Sequence, residues 1–347
     1  MQVILDSLRA PANGKVRCAA LATVLLGASA GAACAGPAVP AALPLAHVAD
    51  VPLGGHATRM DYASVDPARH LLFIAHLGDS AVIVFDTQEN RVIARIEGLA
   101  GVHGVLAIPE LGRVYATATG SNEVVAIDEA TLKIIARTPT GAYPDGLAYA
   151  PAVRKLYVSN ESGGSETVVD VRSNARAAKI PLGGEVGNTQ YDPASGHIFV
   201  NVQSRRQLVE IDPATDAVVA RMDLPGAAGN HGLLIDPRHR LAFIACEDNG
   251  RLLVLDLATR RVTASFAVGR NPDVLALDPG RDWLYVAGEA GIVSIFRIQP
   301  GGAIRLGEGL LGPNAHVVAV DPLSHRSYFP LANLQGATAL RIMQVQP

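Results

Sequence analysis

Residues 236–267 read DPRHRLAFIACEDNGRLLVLDLATRRVTASFA. Asp236-Pro237 opens a turn. Leu241–Cys246, Arg251–Asp256 and Arg261–Ala267 are then short segments rich in Val, Ile, Leu and Phe, set apart by Asp, Asn, Gly and Arg. That is the pattern of strands joined by tight turns. His231–Ile235, just ahead of the Asp-Pro pair, supplies a fourth segment. Leu252–Leu255, and Ala81–Phe85 elsewhere, are apolar at consecutive positions, so both faces of these strands must be covered. No stretch shows helical periodicity.

The unit recurs along the whole chain. Pairs equivalent to Asp236-Pro237 stand at Asp66-Pro67, Ile108-Pro109, Ala150-Pro151, Asp192-Pro193, Asp278-Pro279 and Asp321-Pro322. Successive spacings are 42, 42, 42, 44, 42 and 43 residues. Seven residues after each anchor comes an aromatic: Phe73, Tyr115, Tyr157, Phe199, Phe243, Tyr285 and Tyr328. Twenty residues after it, Asp86, Asp128, Asp170, Asp212 and Asp256 close an apolar run and open a turn, and Ile298 and Arg341 break that column. Four short strands per unit, repeated seven times, predict an all-β, seven-bladed β-propeller over residues 45–347. Its repeats begin near 56, 98, 140, 183, 227, 269 and 312.

The last repeat has room for only three strands, near Val317–Val320, Ser327–Leu331 and Ala337–Met343. Ala46–Gly55 looks like an outermost strand such as Ala220–Gly226. An N-terminal strand completing the last blade is therefore expected, hiding two sheet edges. The units resemble the YVTN repeat of the YncE-like propeller family, most clearly at Leu156-Tyr157-Val158-Ser159-Asn160 and Leu284-Tyr285-Val286-Ala287. The resemblance covers nearly everything after residue 45. It implies the fold and leaves the activity open, because propellers host unrelated functions.

Residues 1–36 differ in kind. Arg9, Lys15 and Arg17 precede an Ala-rich apolar run from Cys18 to Ala33, followed by Pro37 and Pro40. This reads as a secretory leader and predicts a periplasmic or secreted protein. Cys34 offers a lipoprotein anchor instead, but Gly31 stands where a lipobox usually has Leu. No later segment is apolar enough over sufficient length to span a bilayer. Two of the three cysteines lie in the leader, so Cys246 has no disulfide partner. Net charge is −3, and Arg205-Arg206 and Arg260-Arg261 are isolated pairs, so the basic footprint of a nucleic-acid binder is missing. A monomer is expected.

One column does not look structural. Five residues before each anchor stand Asp61, His103, Asp145, Gly187, His231, Asp273 and His316. If the innermost strands line a channel, these meet at one mouth. The second strand returns to the same mouth, bringing His76, Asn160 and Cys246, then Glu161, Glu247 and Glu289. His56 and Arg59 lie nearby.

Several chemistries fit. His103, His231 and His316 are candidate ligands for a divalent transition metal, with an Asp beside each imidazole to set its tautomer. Seven-fold spacing works against three imidazoles converging at bond lengths of ~2 Å. An Asp-oriented His could instead serve as general acid or base. Recognition of a small polar ligand or a protein partner is a third possibility, and a self-neutralising hydrogen-bonded ring that merely closes the channel is a fourth. Cys246 follows Phe243-Ile244-Ala245 and reads as inert packing, with a thiolate ligand beside His231 as the alternative.

No Cys-x-x-Cys-His or His-Glu-x-x-His occurs, and Trp283 is the single tryptophan. Gly27–Gly31 (GASAG) matches a nucleophile-elbow pattern but falls in the leader. The connections are short, the longest hairpin spanning Asn160–Thr167, which leaves no lid over the mouth. The expectation is binding of a ligand, metal ion or partner at the mouth. A metal-dependent hydrolase, lactonase or lyase is the alternative, and a non-catalytic interaction scaffold the third.

Overall fold

The computed structural model describes residues 42–346. The expected leader and the Cys34 anchor lie outside the described residues. Seven four-stranded antiparallel sheets follow one another along the chain, each ordered from the innermost strand outward. Blade five consists of Asn230–Asp236, Leu241–Cys246, Arg251–Asp256 and Arg261–Ala267. These bounds match the periodicity to within a residue.

Blade seven closes the ring. Ala319–Val320, Arg326–Leu334 and Ala337–Val345 are joined by Leu45–Pro52, whose register on the last strand runs from Leu45 opposite Val345 to Pro52 opposite Ala339. Arg341, one of the residues that break the turn-aspartate column, faces Asp50 across this seam. Its Nε and Nη2 donate to the two carboxylate oxygens at 2.8 Å each. A planar guanidinium matched to a carboxylate fixes register as well as adding attraction.

The repeat's two other columns have plain structural work. All seven aromatics of the first are at most 2% exposed, and each ring taken from water contributes ~2–3 kcal/mol. Where the ring is a tyrosine, its hydroxyl can tie one blade to the next. Tyr115 donates to Asn174 Oδ1 at 2.8 Å and Tyr157 to Asp216 Oδ1 at 2.5 Å. The aspartates turn the chain between the third and outermost strands. Asp86 Oδ1 accepts the backbone N–H groups of Gln88 and Glu89, and Asp128 and Asp256 accept those of Thr131 and Thr259.

The innermost strands carry the feature that matters for function. In blades two, three, five and six their ladder to the second strand slips by a bulge, between Val102 and Val105, Pro144 and Leu147, Asn230 and Leu233, and Pro272 and Leu275. Each bulge contains the column residue: His103, Asp145, His231 or Asp273. Bulges free a side chain from the ladder and re-aim it. Gly104 and Gly232, which follow two of these residues, admit no side chain. A Cβ there would lie 2.1 Å from Asp145 O and 2.0 Å from Asp273 O, because neighbouring innermost strands approach backbone to backbone.

Candidate ligand site at the channel mouth

The bulges deliver their side chains to one cavity of about 400 Å³, lined by Arg59, Asp61, Tyr62, Leu77, His103, Tyr143, Asp145, Glu161, His231, Glu247, Asp273 and Glu289. Five of the column's side chains are therefore together, with all three glutamates from the ends of the second strands. Six carboxyl groups face a single guanidinium.

His231 is the centre of the electrostatics. Its Nε2 stands 3.1 Å from Asp145 Oδ2, and its Nδ1 stands 3.4 Å from Asp273 Oδ1 and 3.5 Å from Glu247 Oε1. Burial alone would drive off its proton, but Asp145 and Asp273 outweigh it and hold the imidazolium well above the usual range. Asp145 and His231 come from blades three and five. Between them blade four carries Gly187, where a Cβ would fall 2.7 Å from the Cα and O of His231. The one gap in the column is thus required by its neighbour.

The buried carboxyls are driven apart. Burial and the charges of Asp273 and Asp145 push Asp61 well up. For Asp273, burial is overcome chiefly by His231, with Arg59 adding to it, and it stays ionised. Glu247 is pushed up to about 7 by burial, although His231 partly opposes this. Burial and Asp145 raise Glu161 as well. Arg59 bonds to Glu289 and stands 3.5 Å from Asp61 Oδ2 and 3.9 Å from Asp273 Oδ2. Burial is the largest cause for Asp61, Glu161 and Glu247, and the excess of acids over cations adds to it.

His103 and His316 share a different device. The backbone two residues ahead of the column is left-handed in five blades, at Gly101, Tyr143, Gly229, Asn271 and Asn314. In two of them that residue's carbonyl accepts the Nδ1–H of the column imidazole. His103 donates to Gly101 O at 2.8 Å and His316 to Asn314 O at 3.2 Å. A carbonyl can only accept, so the bare Nε2 of each ring is turned the other way. His103 Nε2 receives the Tyr143 hydroxyl at 3.0 Å. His316 Nε2 receives nothing, although the residue is fully buried.

The expectation that His103, His231 and His316 share one ion needs correction. Among the described residues, the groups able to hold a metal are Asp61/Asp273/His316, Asp145/Glu161/His231 and His231/Glu247/Asp273. Each has one imidazole and two carboxylates, because the ring of blades keeps the three histidines apart. His316 does not line the mouth cavity and reaches it only through Asp61 and Asp273.

His76 is not brought to the mouth. Its Nε2 meets Thr58 Oγ1 at 3.0 Å, and its Nδ1 faces Arg95 Nη2 at 3.2 Å and Asp79 Oδ2 at 3.4 Å. His56 bonds to the other side of Asp79. The cluster ties the chain after the closing strand to blade one. Asn160 is spent on the backbone of Gly141 and Ser165. Cys246 packs among Leu208, Leu233 and Ile244, with its thiol pushed up to about 11 by burial. It is a packing residue and no ligand to His231.

Sequence reasoning missed Tyr62, Asn188 and Tyr143. Tyr62 and Asn188 stand where blades two, three and five have glycine, one residue after the column. From blades one and four they meet across the channel, Asn188 Nδ2 donating to the Tyr62 hydroxyl at 2.5 Å. Tyr62 in turn points its hydroxyl at Asp273 Oδ1, 3.4 Å away. Tyr62 lines both the mouth and a second cavity of about 310 Å³ deeper in the channel, walled by Leu106, Leu147, Leu233, Leu275 and Leu277. The pair forms the floor of the mouth. The only signal was that both residues replace a glycine of the repeat. Tyr143 has φ +59° at a position where the other four blades use Gly or Asn, and Pro144 behind it would have argued for extended backbone.

Fold and site together define a seven-bladed β-propeller with an acidic, histidine-bearing channel mouth. It is similar in structure to Kuenenia stuttgartiensis hydrazine synthase, with 16% identity, a TM-score of 0.72, and 89% of this chain and 98% of that chain covered. It is similar also to U3-55K, with 12% identity, a TM-score of 0.73, and 85% and 98% covered. Likeness at such identities shows the fold alone. No protein-family profile matches the sequence, and neither does any curated protein.

Proposed function

We propose that this chain is an exported, YncE-like propeller whose channel mouth binds a small cation, either a metal ion or a protonated amine. The observation that carries the reading is the imbalance of charge: six carboxyls around one guanidinium and the His231 imidazolium in a cavity of about 400 Å³. Asp145 sharpens it. The residue is 2% exposed, yet neither carboxylate oxygen has an aligned hydrogen-bond donor. His231 Nε2, 3.1 Å from Oδ2, offers charge to one of these oxygens, and a guest cation would add a partner for the other. The YVTN-like repeats and the basic, then apolar, leader support the family and the exported location.

Calorimetry on the full mature chain tests this with Mn²⁺, Zn²⁺ and 1,4-diaminobutane at low ionic strength. The reading expects at least one to bind. A Glu161→Gln/Glu247→Gln/Glu289→Gln variant should weaken that binding by about 10-fold or more, since rim charge is its source. Absence of binding for all three, or equal binding by the variant, would overturn the reading. Glu247 near 7 beside an imidazolium is also what acid–base catalysis needs. Turnover of lactones or esters that disappears in His231→Gln would support that second reading, and no turnover would remove it.

A further inference from the structure

Resting on the reading of the mouth as a cation site, we infer that Asp61, Asp273 and His316 together form a specific site for a divalent first-row transition-metal ion. The three residues offer one ligand atom each, all within 4.8 Å of one another. Every one is at most 3% exposed. Tetrahedral bonds of ~2.0–2.2 Å place ligand atoms about 3.3–3.6 Å apart, so the set closes on an ion by a contraction of about 1.5 Å at most.

His316 is the observation that goes beyond acidic crowding. The Asn314 carbonyl takes its Nδ1–H, so a lone pair remains on Nε2. That nitrogen is buried, has no hydrogen-bond partner, and is grouped with two carboxylates. Arg59 Nε and the Tyr62 hydroxyl reach one oxygen each of Asp61 and Asp273, at 3.5 and 3.4 Å, but no donor reaches His316 Nε2, and a cation among the three would fill that gap. A carbonyl behind the distal ring nitrogen is the usual way a protein orients a metal-binding imidazole. His103 has the same backbone device, but Tyr143 occupies its Nε2, and both ring nitrogens of His231 face carboxyl oxygens at 3.1 to 3.5 Å. Only His316 keeps a bare nitrogen.

The donor set selects the ion. An imidazole with two carboxylates suits Mn²⁺, Fe²⁺, Co²⁺ or Zn²⁺ over Mg²⁺ and Ca²⁺, which favour all-oxygen shells. Asp61 and Asp273 both line the mouth cavity, so a fourth position on the ion would open toward it. Arg59 shares the same two carboxylates at 3.5 and 3.9 Å. It stands in as the positive charge when no ion is bound, with Glu289 as its alternative partner.

Co²⁺ titration of the full mature chain, read by the visible d–d spectrum, tests the assignment. One equivalent should bind and resist a large excess of Mg²⁺ or Ca²⁺. His316→Gln should weaken binding by about 100-fold or more, and Asp61→Asn should do so too. Circular dichroism identifies any variant that fails to fold. In that case X-ray absorption on the Zn²⁺-loaded wild type decides, where one imidazole with oxygen ligands is expected. A Co²⁺ affinity unchanged in both variants, or a loss confined to His231→Gln, would overturn this site while leaving the acidic mouth a cation binder. A wild type that takes 1,4-diaminobutane and no metal would do the same. No binding of any cation would end both readings.

Discussion

At the scale of single residues, the mouth is assembled by exceptions to the repeat. Tyr143 is the plainest. Four blades place Gly or Asn at its left-handed position, while blade three holds a bulky ring there, 40% exposed and edge-on to His103 at 5.1 Å. Such a conformation disfavours most residues with a Cβ by ~1–2 kcal/mol but is eased for Asn, whose short polar side chain bonds locally, and strain of this kind tends to persist where a site uses it. Tyr143→Asn should therefore raise the unfolding free energy by about 1 kcal/mol in urea melts, with Tyr143→Phe nearly neutral. If Tyr143→Asn destabilises the chain, the ring's packing outweighs the strain.

At the scale of the element, the third strand of blade three carries an anomaly of its own. Val82, Val124, Leu208 and Leu252 hold the same place in other blades, opposite Ala75, Thr117, Asn201 and Ala245. Blade three has Glu166 opposite Ser159. It is fully buried, neither oxygen has a partner, and burial alone raises its proton affinity well above the ordinary 4.5. The unfolded chain ionises first, so stability falls as pH rises through 4.5 and continues to fall until the folded-state value is reached. Glu166→Leu restores the column's apolar character. It should add about 1–3 kcal/mol at pH 7 and flatten that pH dependence, as urea melts between pH 4 and 9 would show. An unchanged slope in Glu166→Leu would mean that other groups govern it.

At the scale of the whole molecule, the ring is held by a strand from the opposite end of the chain. A chain started at Leu53 lacks Leu45–Pro52 and the Asp50–Arg341 pair, and exposes the edge of Ala337–Val345. Exposed edges recruit other edges. The thermal midpoint should drop by about 10 °C or more, and the chain should self-associate on gel filtration. A truncated chain that melts and elutes like the full one would show that three strands suffice for the last blade.

The toroid was legible in the sequence because its causes are local and sevenfold. An anchor proline, an aromatic seven residues on and an aspartate at the turn each act through neighbours along the chain or across one hairpin. Their period alone determined blade number, strand order and the closing strand. The column of Asp61, His103, Asp145, His231, Asp273 and His316 was legible for the same reason, since equal phase in a closed ring means equal height along the channel. What tertiary structure decided was which of these groups touch. His231 reaches past blade four to Asp145, Tyr62 and Asn188 meet across the channel, and His76 turns away to Asp79. The first two outcomes depend on ångström-scale approaches between residues tens to over a hundred positions apart, and the third on contacts that His76 also makes with Thr58 and Arg95. Repeat phase specifies height along the channel and leaves such approaches open.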